Sequence, residues 1–233
     1  NWLIEEFMLL ANKKVAEKIG KVKKGTQAKT FVYRIHDRPD PEKIMNFSNF
    51  VHRFGYSLKT GTDQAIAHSM NKLVHDIKGK NEQYILESLA IRTMAKAKYS
   101  GKNIGHYGLA FPYYTHFTSP IRRYPDLMVH RLLQSYLDGE KSENSRKNEM
   151  RCEHSSSREE LAVQAERASV KYKQVEFLKD HIGEEYDGII SGVNEWGFYV
   201  ELTDNHCEGM VPVRELSDDF YEYDESNYCL VGA

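Results

Sequence analysis

The 233 residues carry 32 Lys+Arg against 34 Asp+Glu, a formal net charge of −2, with 40% apolar residues. That is the make-up of a globular chain with room for a real core, as one large domain or a medium domain plus a small one. No run approaches the ~18 apolar residues of a membrane span, so no membrane association is expected. Cys152, Cys207 and Cys229 are odd in number and widely spaced. They fit reduced thiols in a cytoplasmic protein, not a disulfide framework or a zinc site.

Near-neutral charge announces no nucleic-acid partner, but its distribution is uneven. Residues 1–36 hold eight Lys/Arg against three Glu, and residues 215–233 hold six Asp/Glu and no Lys/Arg. Either block is equally well read as a solvated surface.

Residues 2–19 have a helical period: Ile4, Met8, Ala11, Val15 and Ile19 form one stripe, widened by Leu3, Phe7 and Leu10. A helix this apolar belongs inside a larger domain. Asn1 to Glu6 reads as helix interior and not as a leader, so more chain is expected upstream. Residues 21–30 form a basic loop and 31–36 a short strand. Asp40-Pro41 opens a helix to about Phe54, ended by Gly55. Helices are expected at 61–78 and 81–98, with irregular or extended chain over 99–119. A helix follows from Pro125 to Leu137, then a polar loop or frayed helix start over 138–156.

Ser157-Arg-Glu-Glu160 fits a capping box. It would begin a long amphipathic helix ending near Ile182-Gly183. There the period changes from helical to alternating. Strands are expected at 186–193, 198–202 and 207–213, with a turn over 194–197. A domain boundary is placed at 182/183.

The segment from Ser119 to Asp126 has a chemistry of its own. Pro125 is tolerated only in the first turn of a helix, so that helix starts just after Arg122 and Arg123. Its free amides and positive dipole end, with two guanidinium groups, suit a phosphate. The plain alternative is that both arginines pair with acidic side chains as structure.

The wider string, Gly105-His-Tyr-Gly-Leu-Ala-Phe through His116-Phe-Thr-Ser-Pro-Ile-Arg-Arg-Tyr-Pro-Asp to Leu133, closely resembles the signature of the ribonuclease II/ribonuclease R catalytic domain. The run Leu3-Ile-Glu-Glu to Asn12 resembles the family's "EE…AN" helix, and Gln164-Ala-Glu-Arg167 its late acidic motif. Residues 183–233 resemble the start of the S1-type OB-fold RNA-binding domain, with too few residues for all five strands. The resemblance implies an α+β fold. Residues 1–182 would be the mainly helical C-terminal part of an RNB-type catalytic domain, and 183–233 a partial β-barrel.

That family hydrolyses single-stranded RNA processively from its 3′ end to nucleoside 5′-monophosphates, with magnesium activating the attacking water. The resemblance makes Arg122 the contact to the scissile phosphate, with Arg123 and Tyr124 as weaker candidates. It places Glu5 or Glu6 on the RNA channel, but not both, because successive helical residues point about 100° apart. Glu166 matches a position near RNA; as a surface charge it is equally well explained. In the small domain Phe198, Val200 and Leu202 would face the core, leaving Tyr199 exposed. Tyr199 and Trp196 would then be stacking platforms for bases, while Pro212 stands where many such domains carry a His.

The family's metal site is an aspartate cluster, and no such cluster is present in the sequence. Asp37, Asp40, Asp218 and Asp219 are too sparse, and His106, His116 and His130 lack metal-ligand spacing. No metal ligand is therefore assigned. Magnesium would be held by residues outside this chain, and the chain alone is expected not to hydrolyse RNA. Single-stranded RNA is the expected partner, with no obligate protein partner. Two other readings stand beside this one: a non-catalytic RNA-binding protein of the same fold, and a helical interaction scaffold.

Overall fold

A computed structural model describes residues 2–80, 82–224 and 228–232. The fold is α+β, and the chain divides into two units: Asn1–Arg38 with Ala95–Gln164, and Pro39–Met94 with Ala165–Ala233.

In the first unit, α1 (Trp2–Gly20) is followed by strand β1 (Tyr33–Ile35), which pairs antiparallel with β2 (Lys98–Ser100). The apolar stripe of α1 is split. Ala16 is buried and Val15 and Ile19 pack on the core, whereas Trp2, Leu3, Ile4, Phe7, Met8 and Leu10 are exposed. Helix α5 (Tyr124–Leu137) adds Met128, Val129 and Leu132 to the same core, beside Phe31, Val32, Tyr33, Ile35 and Tyr99. The long helix α6 (Ser145–Lys179) contributes Cys152 from its first part.

The expected polar loop over 138–156 is corrected by α6, which begins twelve residues before the expected capping box at Ser157. The cap is Asn144, whose side-chain oxygen accepts from the Lys147 amide at 2.9 Å. The fully buried residues on the face turned to the core are Asn148 and Cys152, one turn apart, so no apolar period marks this stretch. Ser155 and Ser156 donate to the carbonyls of Arg151 and Cys152 four residues back, which keeps their hydroxyls inside the helix.

In the second unit, Asp40 caps α2 (Pro41–Arg53) as expected, accepting from the amides of Glu42 and Lys43. Such a cap contributes about 1 kcal/mol. Helices α3 (Asp63–Asp76) and α4 (Gln83–Thr93) complete a three-helix cluster around Phe47, Phe50, Val51, Met70, Leu73, Ile77 and Leu86. The expected helix 81–98 is shorter than read: α4 stops at Thr93 and Lys98 already belongs to β2; residue 81 lies outside the described residues.

Beyond α6, strands β3 (Gly188–Asn194), β4 (Gly197–Leu202) and β5 (Glu208–Pro212) form one antiparallel sheet in that order. Gly197 is obligatory at the β3–β4 turn, because a Cβ there would lie 2.1 Å from the Val211 carbonyl oxygen. Among the described residues, β6 (Tyr221–Asp224) and β7 (Cys229–Gly232) form a separate two-stranded hairpin. The described residues of this segment thus reach five strands, more than expected, but they form a three-stranded sheet and a separate hairpin. They do not form one closed barrel.

Candidate nucleic-acid interface

In the first unit, the segment leading into α5 is held by buried polar groups. Asn12 of α1 donates to the Tyr114 hydroxyl at 3.2 Å and accepts from the Phe117 amide at 2.9 Å. Thr115, fully buried, donates to the Val32 carbonyl at 2.6 Å. His130 donates to the Phe117 carbonyl at 2.8 Å and stacks on the Phe117 ring. Each of these bonds satisfies a group that burial would otherwise leave without a partner.

The next turn is organised by Asp126, a fully buried carboxylate. One of its oxygens accepts from the Ser119 amide at 2.8 Å and from Arg123 Nη2 at 2.9 Å. The Arg122 and Arg123 amides both fold back to the Ser119 carbonyl. Arg123 is thereby committed to the scaffold: its side chain is only 21% exposed and ion-paired. This is the structural role the sequence left open for it. Its neighbour Arg122 is exposed, as are Ile121 and Tyr124. Helix α5 starts with Tyr124 and Pro125, no side chain caps it at Arg123, and the acidic residue of its first turn is the buried Asp126.

A third guanidinium belongs to this region, and sequence reasoning missed it. Arg34, in β1 between the buried Tyr33 and Ile35, lies over the Tyr99 ring with its Cζ 4.6 Å from the centroid. It pairs with Glu159 at 2.5 Å. The signal available was strand alternation, which puts Arg34 on the face opposite its two buried neighbours. His116 is hydrogen-bonded to the Tyr99 hydroxyl at 2.8 Å. Burial, and then the charges of Arg123 and Arg34, push its pKa down to about 3. His116 is therefore neutral at pH 7. Burial and the nearby His36 likewise hold His106 at about 4.

Of the other candidates, Glu5 and Glu6 are both exposed on the outward half of α1. Glu166 is exposed on α6 in the second unit, as is Trp196, at 68%, in the β3–β4 turn. The Trp196 backbone is fixed: its amide donates to Asn194 Oδ1 and its carbonyl accepts from the Val213 amide, both at 2.9 Å. Tyr199 departs from expectation, being half-buried like Phe198 instead of exposed. The face that it shares with Glu201 is partly covered by α4, whose Tyr84 donates to Glu201 at 2.5 Å. The structure therefore gathers Arg122, Arg123 and Tyr124 at one helix start and leaves Trp196 as the exposed ring of the hairpin turn.

Among the described residues no three His, Cys, Asp or Glu side chains converge as metal ligands. Asp126, fully buried among the described residues, pairs through one oxygen with Arg123 and belongs to no such group. Among the described residues no donor set fits a magnesium site.

Comparison with known proteins agrees with this geometry. The RNB domain matches residues 1–139, and the S1 RNA binding domain matches residues 179–232. The chain is 40% identical over 233 residues to ribonuclease R of Aquifex aeolicus, covering 99% of this chain and 32% of that protein. It thus spans about a third of the length of such relatives. The structure of Mycoplasma genitalium RNase R in complex with ribose-methylated single-stranded RNA superposes with a TM-score of 0.84 at 26% identity, over 98% of this chain and 36% of that one. Yeast Ssd1, a pseudonuclease, superposes with a TM-score of 0.76 at 28% identity, over 97% and 28% of the two chains.

Proposed function

Because the chain belongs to the RNB-domain family, a family of 3′→5′ exoribonucleases, we propose that it is the phosphate- and RNA-binding part of such an enzyme. One observation carries this reading: a buried Asp126–Arg123 pair fixes the turn that leaves Arg122 exposed beside an uncapped helix start. A fixed guanidinium fork stabilises the charge that builds on phosphoryl oxygens during cleavage of a phosphodiester. Arg122 is the catalytic contact in this reading. Tyr124 and one of Glu5 and Glu6 line the path of the strand, and Glu166 lies near it. Trp196, and to a smaller extent Tyr199, offer rings to unpaired bases. Arg123 acts by positioning Arg122.

The division of labour falls at residue 182/183, with the RNB-type part before it and the S1-type part after it. The working protein is cytoplasmic and uses single-stranded RNA without an obligate protein partner. In the whole enzyme a bound magnesium would supply the chemistry of water activation. Since no donor set among the described residues fits that ion, its ligands lie in sequence outside residues 1–233, and no step is assigned to them here. The purified chain is expected to bind a single-stranded oligoribonucleotide with salt-dependent affinity and to release no mononucleotides in magnesium. Robust magnesium-dependent degradation by this chain would overturn the division. Salt-independent or absent binding would overturn the RNA reading and favour the interaction scaffold.

The resemblance to the yeast pseudonuclease favours a second reading, a non-catalytic RNA-binding protein of the same fold. The two readings part on the natural sequence upstream of residue 1: an aspartate cluster there supports the enzyme, and its absence the binder.

A further inference from the structure

His116 stands just upstream of the turn that exposes Arg122, and it is half-buried. Its ring meets Tyr99 and Tyr114 edge-on, with centroids 5.6 and 5.8 Å away. Its Nδ1 is bonded to the Tyr99 hydroxyl at 2.8 Å. Two ring contacts and one hydrogen bond hold the imidazole in a single orientation.

The same bond decides where the ring proton sits. The Tyr99 hydroxyl is buried, and Nδ1 is its partner. If the hydroxyl accepted there, its own proton would be left without an acceptor in a buried site, which is costly. It therefore donates, and the proton of the neutral imidazole is on Nε2. That Nε2–H makes no hydrogen bond among the described residues. The buried polar atoms without a partner are Thr118 Oγ1, Arg123 Nε, Asp126 Oδ2 and Asn148 Oδ1. Nε2 is not one of them, so it is open to solvent.

The charges that act on this ring are those of Arg123, Arg34 and Arg122, all positive. Arg34 and Arg123 are ion-paired, with Glu159 and Asp126, which leaves Arg122 as the guanidinium available to a ligand. An unused N–H donor in a positive setting is matched to an anionic oxygen.

We propose that His116 is an RNA contact beside Arg122, its Nε2–H donating to a backbone phosphate oxygen of the bound strand. Arg122 supplies charge, and His116 supplies a directed hydrogen bond from an uncharged ring. The proposal rests on the RNA-binding reading of this turn and adds a second side chain to it.

The test titrates the 233-residue chain with a single-stranded oligoribonucleotide and with the deoxy strand of the same sequence. His116→Phe, which keeps a ring and removes the donor, should weaken both about fivefold to tenfold. The slope of log K against log salt should stay unchanged, because no charge is lost. His116→Gln, whose amide nitrogen stands in for Nε2, should recover most of the affinity. Nitrogen-15 NMR of the unsubstituted chain reads the ring directly, whether or not the phenylalanine variant folds. The Nε2–H tautomer is expected at pH 7, with its resonance shifting as RNA binds. A folded His116→Phe with unchanged affinity, an Nδ1–H tautomer, or a resonance indifferent to RNA overturns the proposal. A penalty confined to the ribo strand also overturns it, since the contact would then be to the 2′-hydroxyl. Arg122→Ala separates the two readings: if it weakens binding and His116→Phe does not, this proposal alone fails, and if neither does, the RNA reading of the turn fails with it.

Discussion

The turn before α5 and the turn between β3 and β4 expose Arg122 and Trp196, each with exposed neighbours, by different means. At α5 the scaffold is a buried charge pair, and the exposed group is a cation. At the hairpin the scaffold is backbone hydrogen bonding around Asn194 and Gly197, and the exposed group is a ring. The first depends on electrostatics that burial makes strong and costly to disturb, and the second on backbone geometry that a substitution of the exposed ring itself leaves intact. The contrast predicts that variants at the first turn unfold or lose salt dependence, while variants at the second lose affinity alone.

The largest effect is expected from Asp126→Ala, which strands Arg123 and the Ser119 amide in a buried position. It should cost about 3–5 kcal/mol in urea denaturation; a loss below about 1 kcal/mol would show that the turn does not rest on this pair. Next comes acid. His116 has its pKa lowered to about 3 in the folded chain, against about 6.5 unfolded. The unfolded state therefore binds more protons between these values. Stability is full above about pH 6.5 and is lost as pH falls toward 3. From pH 7 to pH 5 the loss from this one residue is about 2 kcal/mol, and His116→Gln should flatten that slope.

Smaller still is Trp196→Ala, expected to weaken single-stranded RNA binding by about 1–2 kcal/mol with an unchanged salt slope. Arg122→Ala should weaken it by about 1 kcal/mol and reduce the slope of log K against log salt by about one. If both variants changed the slope equally, the distinction between the two turns would fail.

Much of this arrangement was legible in the sequence where one residue type has one physical use. Asp40-Pro41 announced α2, and Pro125 fixed the start of α5 to within a residue. The resemblance ranked Arg122 ahead of Arg123, and the structure adds what the sequence left open, that Arg123 pairs with a carboxylate buried one turn on. The start of α6 was hidden because its inward face is made of Asn148 and Cys152, which no hydropathy period registers. Ser157 offered a false start, since serine hydroxyls inside a helix can bond backward as well as cap. Arg34 was missed for another reason: alternation puts it opposite Tyr33 and Ile35, but alternation alone does not say what that face meets.

The pair of hydrogen bonds made by Asn12 also sets which substitutions α1 tolerates. Its side chain donates to the Tyr114 hydroxyl and accepts from the Phe117 amide at once. Aspartate could accept from both groups but would put a charge in a buried site, and serine is too short to span both partners. Position 12 is thus closed to the two replacements that a comparison of polarity alone would allow. A survey of viable variants along α1 should find this site as intolerant as Ala16 in the core, although it carries no charge.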